Sequence, residues 1–144
     1  MGEDPFLVSK IAVPYIKAIQ DNGIAVCVKH FALNNQEYQR DTVNVEVSER
    51  ALREIYLPAF KAAVTEAGAW SVMGAYNKFR GQYCCHNNYL INDILKGEWK
   101  FDGAVISDWS GTKNAYEAAM NGLDIEMGLS LIHISEPTRP RLIS

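Results

Sequence analysis

Two hydrophobic signatures alternate along this chain. Short runs rich in β-branched residues recur at 24–28, 70–75 and 104–107. Between them lie longer stretches whose apolar positions repeat every three or four residues. The first signature reads as buried strand and the second as amphipathic helix. A shorter run at 123–127 reads as a fourth strand. The longest helical stretch begins at Ser48, whose hydroxyl suits an N-cap, with Glu49 in the first turn. Leu52, Ile55, Tyr56, Ala59, Phe60, Ala63 and Val64 form its stripe; Pro58 predicts a kink or break, and Gly68 closes it. Further helices are expected over 89–96, closed by Gly97, and over 112–120, closed by Gly122. A first helix is expected around 9–21, interrupted by Pro14, after a loop formed by Gly2, Glu3, Asp4 and Pro5.

Strand alternating with helix predicts right-handed βα units and a parallel sheet. The strands are continuous apolar runs, as expected where both faces are covered. The fold class is therefore α/β, with about three to four βα units. A closed eight-stranded barrel needs about 250 residues, and this chain has 144. It reads either as a small open sheet or as part of a barrel, and its two ends favour the second. No strand precedes the first loop. The stretch 129–144 loses all periodicity and carries Pro137, Arg139, Pro140 and Arg141. That stretch resembles a translated sequencing adapter and is expected to be a non-native or disordered tail. Residues 1–128 are then one partial domain.

Composition adds mainly exclusions. Apolar residues make up 48% and charged residues 22%, an ordinary globular balance. A net charge of −3 gives no electrostatic reason to expect nucleic acid or an anionic membrane as partner. No apolar run approaches the roughly 20 residues of a membrane span, and the start lacks the pattern of a signal peptide. Cys27, Cys84 and Cys85 are odd in number and do not form a disulfide framework. Cys84-Cys85-His86 invites a metal reading, but adjacent strand side chains point to opposite faces and no CxxC spacing exists. No metal and no cofactor are expected.

Chemistry is sought at strand ends, where parallel β/α folds place it. The run Val105-Ile106-Ser107 delivers Asp108 beside Trp109. A carboxylate next to a flat aromatic fits a sugar site. Asp108 is preferred to Asp124 and Glu126, which share one face of a weaker strand. Lys29 and His30 end the first strand and could bind vicinal hydroxyls, or could be a solvated lysine and a backbone-satisfied histidine. Met73 and Tyr76 end the second strand, as pocket wall and hydroxyl donor or as core. Asn34, Asn35, Gln36, Glu37 and Arg40 could line a site or form a hydrogen-bonded loop with a Glu37–Arg40 pair. Glu37 is the acid nearest the Lys29-His30 tip and is considered as a general acid.

These residues resemble a known family. Lys29-His30-Phe31, with Asn34, Glu37 and Arg40, is similar to the KHF-x-x-N-x-x-E-x-x-R segment of glycoside hydrolase family 3. So are the segment 47–58, Val72-Met73 with Tyr76-Asn77, Phe101-Asp102-Gly103 and Ser107-Asp108-Trp109. The likeness runs from about Glu3 to Gly128. It implies a (β/α)8 TIM-type barrel domain represented by its middle and later units, and retaining hydrolysis of terminal β-linked sugars. It implies Asp108 as nucleophile, Lys29 and His30 as binders of sugar hydroxyls, and Met73, Tyr76 and Trp109 as walls of the subsite.

The implied substrate is a β-glucoside or oligosaccharide. The implied acid/base lies in a following domain and a sugar-binding arginine lies upstream, so the chain is expected to need both. The family's N-acetylhexosaminidase branch uses a histidine in a Gly-rich loop. Here that loop reads Ala32-Leu33-Asn34-Asn35-Gln36, which disfavours the branch. A non-catalytic carbohydrate-binding module is the alternative from another class. Free cysteines and family habit point to bacterial cytoplasm or periplasm.

Overall fold

The computed structural model describes residues 2–128. The expected tail at 129–144 lies outside the described residues. The chain runs α1 (Pro5–Gln20), β1 (Cys27–Phe31), β2 (Asn44–Val45), α2 (Glu49–Ala51), a π-helical turn (Leu52–Tyr56) and α3 (Pro58–Thr65). It continues through β3 (Ser71–Gly74), β4 (Lys78–Phe79), β5 (Gln82–Tyr83), a 3-10 turn (Cys84–His86), a π-helix (Tyr89–Glu98), β6 (Ala104–Ile106) and α4 (Ala115–Met120).

Local chemistry explains the helix boundaries. Asp4 Oδ1 accepts the Leu7 N–H at 2.7 Å and Pro5 occupies the first helical position, so α1 starts four residues before Ser9. The expected opening loop is thus cap and first turn, and α1 runs through Pro14 unbroken. Ser48 caps α2 as expected, accepting the Ala51 N–H. The expected break at Pro58 is also present. Leu57 N–H donates to Leu52 O, five residues back, and Pro58 restarts the helix as α3. Asn114 caps α4, so that helix begins at Ala115 rather than Thr112. Gly97 lies inside the π-helix instead of closing it.

β1, β3 and β6 form one parallel sheet in the order β1-β3-β6. Val28 pairs with Val72, and Val72 with Val105. The register shifts between Val28 and Phe31. β1 sits three residues later than the 24–28 run, because pairing starts only where Ser71 N–H meets Val26 O. Lys29 and His30 therefore belong to the strand itself. The expected fourth strand is reduced to one parallel bridge between Ile106 and Ile125.

A second sheet, β2-β4-β5, was not anticipated. Its hairpin turns at Arg80 and Gly81, both at positive φ (51° and 83°), the geometry of a two-residue primed turn. Asn44 Oδ1 accepts the Gly81 N–H at 2.7 Å and ties β2 to that turn. Glu49 joins α2 to the hairpin and the π-helix: it accepts the Tyr89 hydroxyl and pairs with Arg80 and Arg53. These partners, Tyr89 first, hold its carboxyl at about 2. The stability this adds is present above pH 4.5 and lost as pH falls toward 2.

The core lies on the helical side of the main sheet. Val72 and Val105, each 1% exposed, pack with Phe31, Leu90, Ile91, Ile94 and Leu95. A smaller cluster of Ala12, Ile16, Ala63, Ala67 and Ala69 lets α1 approach α3 closely. Met73 and Ile106 alternate to the opposite face and are only half-buried. Among the described residues, one sheet face is layered and the other is not. The expectation that both faces are covered is met on one side. In a closed barrel the second face is the interior.

Open backbone along β1 and the bare Met73–Ile106 face favour pairing between copies. The isolated chain is expected to self-associate, with an apparent mass in light scattering that rises with concentration. A soluble monomer with a sharp reversible melt is the contrary result.

Candidate active site

Parallel pairing brings the ends of β1, β3 and β6 to one edge of the sheet. From β6 the chain continues through Ser107 to Asp108, both buried. Ser107 Oγ accepts the Met127 N–H at 2.8 Å, and Ser107 N–H donates to Ile125 O at 2.9 Å. These bonds anchor the strand end. Asp108 O accepts the Gly111 N–H at 2.9 Å and closes the turn that follows.

The Asp108 carboxylate is oriented by both its oxygens. Oδ1 accepts the Trp109 backbone N–H at 2.7 Å. Oδ2 lies 3.1 Å from His30 Nε2. The Tyr76 phenol lies near enough to the same carboxylate to feel its charge. Burial raises its pKa above the ordinary value, and the nearby Asp108 charge raises it further. The phenol therefore stays protonated. The His30 imidazole is pulled below its ordinary value, mainly by burial, with Lys29 and Arg40 adding to the effect and Asp108 opposing it. It is neutral at pH 7, so its contact with Asp108 is that of a neutral imidazole.

Asp108, His30 and Tyr76 are thus brought together. Lys29 is exposed and makes none of the hydrogen bonds or ion pairs found among the described residues, though its charge reaches His30. Trp109 touches Asp108 through its backbone while its indole is 64% exposed. Met73 pairs with Ile106 in register and shows its side chain on the uncovered face. A groove of about 410 Å³ opens beside Lys29 and His30, walled by Asn34, Tyr56 and Phe60. A larger cavity of about 630 Å³ lies between α1 and α3, away from Asp108.

The rival carboxylates are occupied differently. Asp124 pairs with Lys96 at 3.0 Å and accepts the Val105 N–H at 2.8 Å, holding the sheet edge. Burial raises Glu126 above the ordinary carboxylate range. Glu37 is exposed and pairs with Arg40 at 2.7 Å, the hydrogen-bonded arrangement that the sequence left open.

Cys84, Cys85 and His86 lie on one buried 3-10 turn and not on a strand: the β4-β5 ladder ends where Cys84 N–H donates to Asn77 O, and Asn87 N–H then donates back to Cys84 O. Among the described residues no cluster of His, Cys, Asp or Glu is arranged to hold a metal. Cys85 supports the site in a way the sequence reading missed. Its thiol donates to Ala75 O at 3.4 Å and reaches the Asp108 backbone, and burial pushes its pKa to about 11. A Cβ on Gly74 would stand 2.8 Å from Cys85 Cα, and one on Gly111 2.7 Å from its sulfur. Glycines next to the second and third strand ends were the available signal for this close approach.

Residues 1–130 match the glycosyl hydrolase family 3 N terminal domain. The chain belongs to glycosyl hydrolase family 3. A family 3 relative, β-glucosidase BoGH3A of Bacteroides ovatus, is 64% identical over 128 residues, covering 89% of this chain and 17% of that protein. Thermostable β-glucosidase B of Acetivibrio thermocellus is 49% identical over 129 residues, covering 90% and 17%. Among solved structures, β-glucosidase 3B from Thermotoga neapolitana in complex with glucose matches with a TM-score of 0.87. That match is at 44% identity and covers 95% of this chain and 19% of that one. The chain spans about a sixth of the length of these curated relatives. Its parallel βα array is a partial TIM-type barrel, in agreement with the fold class expected from the sequence.

The His30 environment has a measurable consequence. Its imidazole resonances are expected to titrate below pH 6.5. Because the folded form resists protonation, the related stability is present above pH 6.5 and lost as pH falls below it. Asp108→Asn removes the charge that opposes burial and should lower the midpoint further. A midpoint above 6.5 in NMR titration would contradict this electrostatic account.

Proposed function

We propose that this chain is part of a retaining glycosidase that cleaves terminal β-linked sugars, glucose foremost, through a covalent glycosyl-Asp108 intermediate. One observation carries the reading: a buried carboxylate at a strand end, with Oδ1 held by the Trp109 N–H and Oδ2 turned to the His30 and Tyr76 side. Asp108 Oδ2 attacks the anomeric carbon. The bond to the aglycone oxygen breaks, and that oxygen takes a proton from an acid. Water, deprotonated by the same group acting as base, then attacks the anomeric carbon, breaks its bond to Asp108 and releases the sugar.

The second carboxylate of such a pair stands about 5–5.5 Å from the first. We assign it to a part of the protein beyond the described residues, since Glu37 is engaged by Arg40. A neutral His30 and the cationic Lys29 bind hydroxyls of the sugar. Tyr76, protonated, donates to Asp108 before attack and can follow the charge as it leaves that carboxylate. Met73 and the Trp109 indole wall the subsite. Residues 1–128 are the part of the barrel domain that supplies these groups. The β-glucosidase names of its relatives support glucose as the sugar.

An activated fluoro-glucoside should trap the complete enzyme as an ester on Asp108, read by peptide mass spectrometry. A label on any other carboxylate would refute the assignment. Asp108→Asn should lower kcat at least about a thousand-fold, as loss of a covalent nucleophile does. Activity on N-acetylglucosaminides without activity on glucosides would favour the hexosaminidase branch. Sugar binding without turnover would favour a binding module. The isolated 144-residue chain is expected to release no nitrophenol from a nitrophenyl β-glucoside.

A further inference from the structure

One pair outside the groups given chemical roles leans directly on one of them. After β1 the chain turns back on itself, with Arg40 N–H donating to Glu37 O. The side chains of the two residues meet as well, Arg40 Nη1 donating to Glu37 Oε2 at 2.7 Å. The Arg40 guanidinium then lies over the Tyr76 ring, 4.7 Å from its centroid. The phenol at the far end of that ring lies two residues beyond β3, as Asp108 lies two residues beyond the neighbouring β6, close enough to feel the Asp108 charge. A chain of contacts therefore runs from Glu37 through Arg40 to the Tyr76 ring, whose phenol stands within the field of Asp108.

The chemistry of arginine suits this position. A planar guanidinium can lay its face on an aromatic ring and still donate from its edge to a carboxylate. A lysine ammonium is a point charge and must divide itself between the two. Tyr76 itself lies in irregular chain between β3 and β4. Its neighbours are pinned: Ala75 N–H donates to Phe31 O at 2.9 Å, and Asn77 Nδ2 donates to Ala32 O at 3.3 Å. Those bonds place the backbone. They leave the direction of the half-buried phenol ring to contacts on its faces, and Arg40 is one of them. The Arg40 charge is also felt at both His30 and Tyr76, which places it in the field of the site.

We propose that Arg40 is a positioning residue, anchored by Glu37, that holds the Tyr76 ring so that its hydroxyl is directed toward Asp108. The proposal rests on the retaining reaction assigned above. It gives Glu37 the task of fixing Arg40, in place of the general-acid role that the sequence left open. Arg40 touches no reacting atom, and its contribution to rate passes through Tyr76.

The test is a double-mutant cycle in the complete enzyme with nitrophenyl β-glucoside. Arg40→Ala should lower kcat by about ten-fold, as misplacement of a catalytic contact does, with KM changed less than about threefold. Tyr76→Phe will show its own loss. If Arg40 acts through the phenol, the double variant loses little more than Tyr76→Phe alone. Arg40→Lys should restore kcat only in part, and Glu37→Ala should reproduce part of the Arg40→Ala loss. An exposed ion pair adds little to stability, so these variants should melt close to the parent. Where Arg40→Ala fails to fold, Arg40→Gln should show the same kcat loss and the same coupling. Losses that multiply in the double variant would overturn the proposal. So would an unchanged kcat in Arg40→Ala, or a Glu37→Ala loss far beyond that of Arg40→Ala. Fluoro-glucoside labelling of the parent separates the two levels. A label away from Asp108 overturns the reaction and this inference together. A label on Asp108 with multiplying losses overturns this inference alone.

Discussion

Parallel register is the constraint on which the site depends. Val28, Val72 and Val105 lie side by side, and each strand runs the same way. Their ends therefore meet at one edge, although the residues there are separated by long stretches of sequence. His30 lies within β1, Tyr76 two residues beyond β3 and Asp108 two residues beyond β6. A slip of one residue in any strand would turn its side chains to the other face and dissolve the cluster. The packing of Val72 and Val105 against the helical layer opposes that slip. The core therefore does more than stabilise this segment, because it also aligns the carboxylate, the imidazole and the phenol.

Burial and the Asp108 charge compete at His30, where burial prevails, and act together at Tyr76. His30 is held neutral although a carboxylate lies 3.1 Å away. Tyr76 is held protonated by burial and by that same carboxylate. The result is a carboxylate flanked by two uncharged polar groups, with the cations Lys29 and Arg40 further out. This distribution leaves the Asp108 carboxylate without a direct counter-ion, while the outer cations bias the field around it.

Much of the fold could be read from hydrophobic period and punctuation. The parallel array follows from the three strong runs, the cap at Ser48 from its hydroxyl, and the helix break from Pro58. The remainder depended on pairing, which a single chain pattern does not encode. The apolar residues at 24–26 look like strand, but the ladder begins only at Val26, so β1 lies later. The run at 123–127 looks like strand and makes a single bridge. The β2-β4-β5 sheet has two-residue strands, too short for any period, and only Arg80-Gly81 marked its turn. In the site, Asp108, His30 and Tyr76 were visible as polar residues at strand ends. The support from Cys85 was not, because it depends on a close approach permitted by Gly74 and Gly111. The resemblance to glycoside hydrolase family 3 and the match of residues 1–130 agree on the family.

The bond from the Trp109 amide to Asp108 Oδ1 spans a single peptide unit. Half of the carboxylate's aim is thus written into two consecutive residues and travels wherever they go. Recombination between homologous genes that carries this short stretch whole would transplant a ready-oriented acid, leaving only its second oxygen to be matched by the new host. Such self-contained geometry lets the neighbouring loops vary without disturbing the pose of Oδ1.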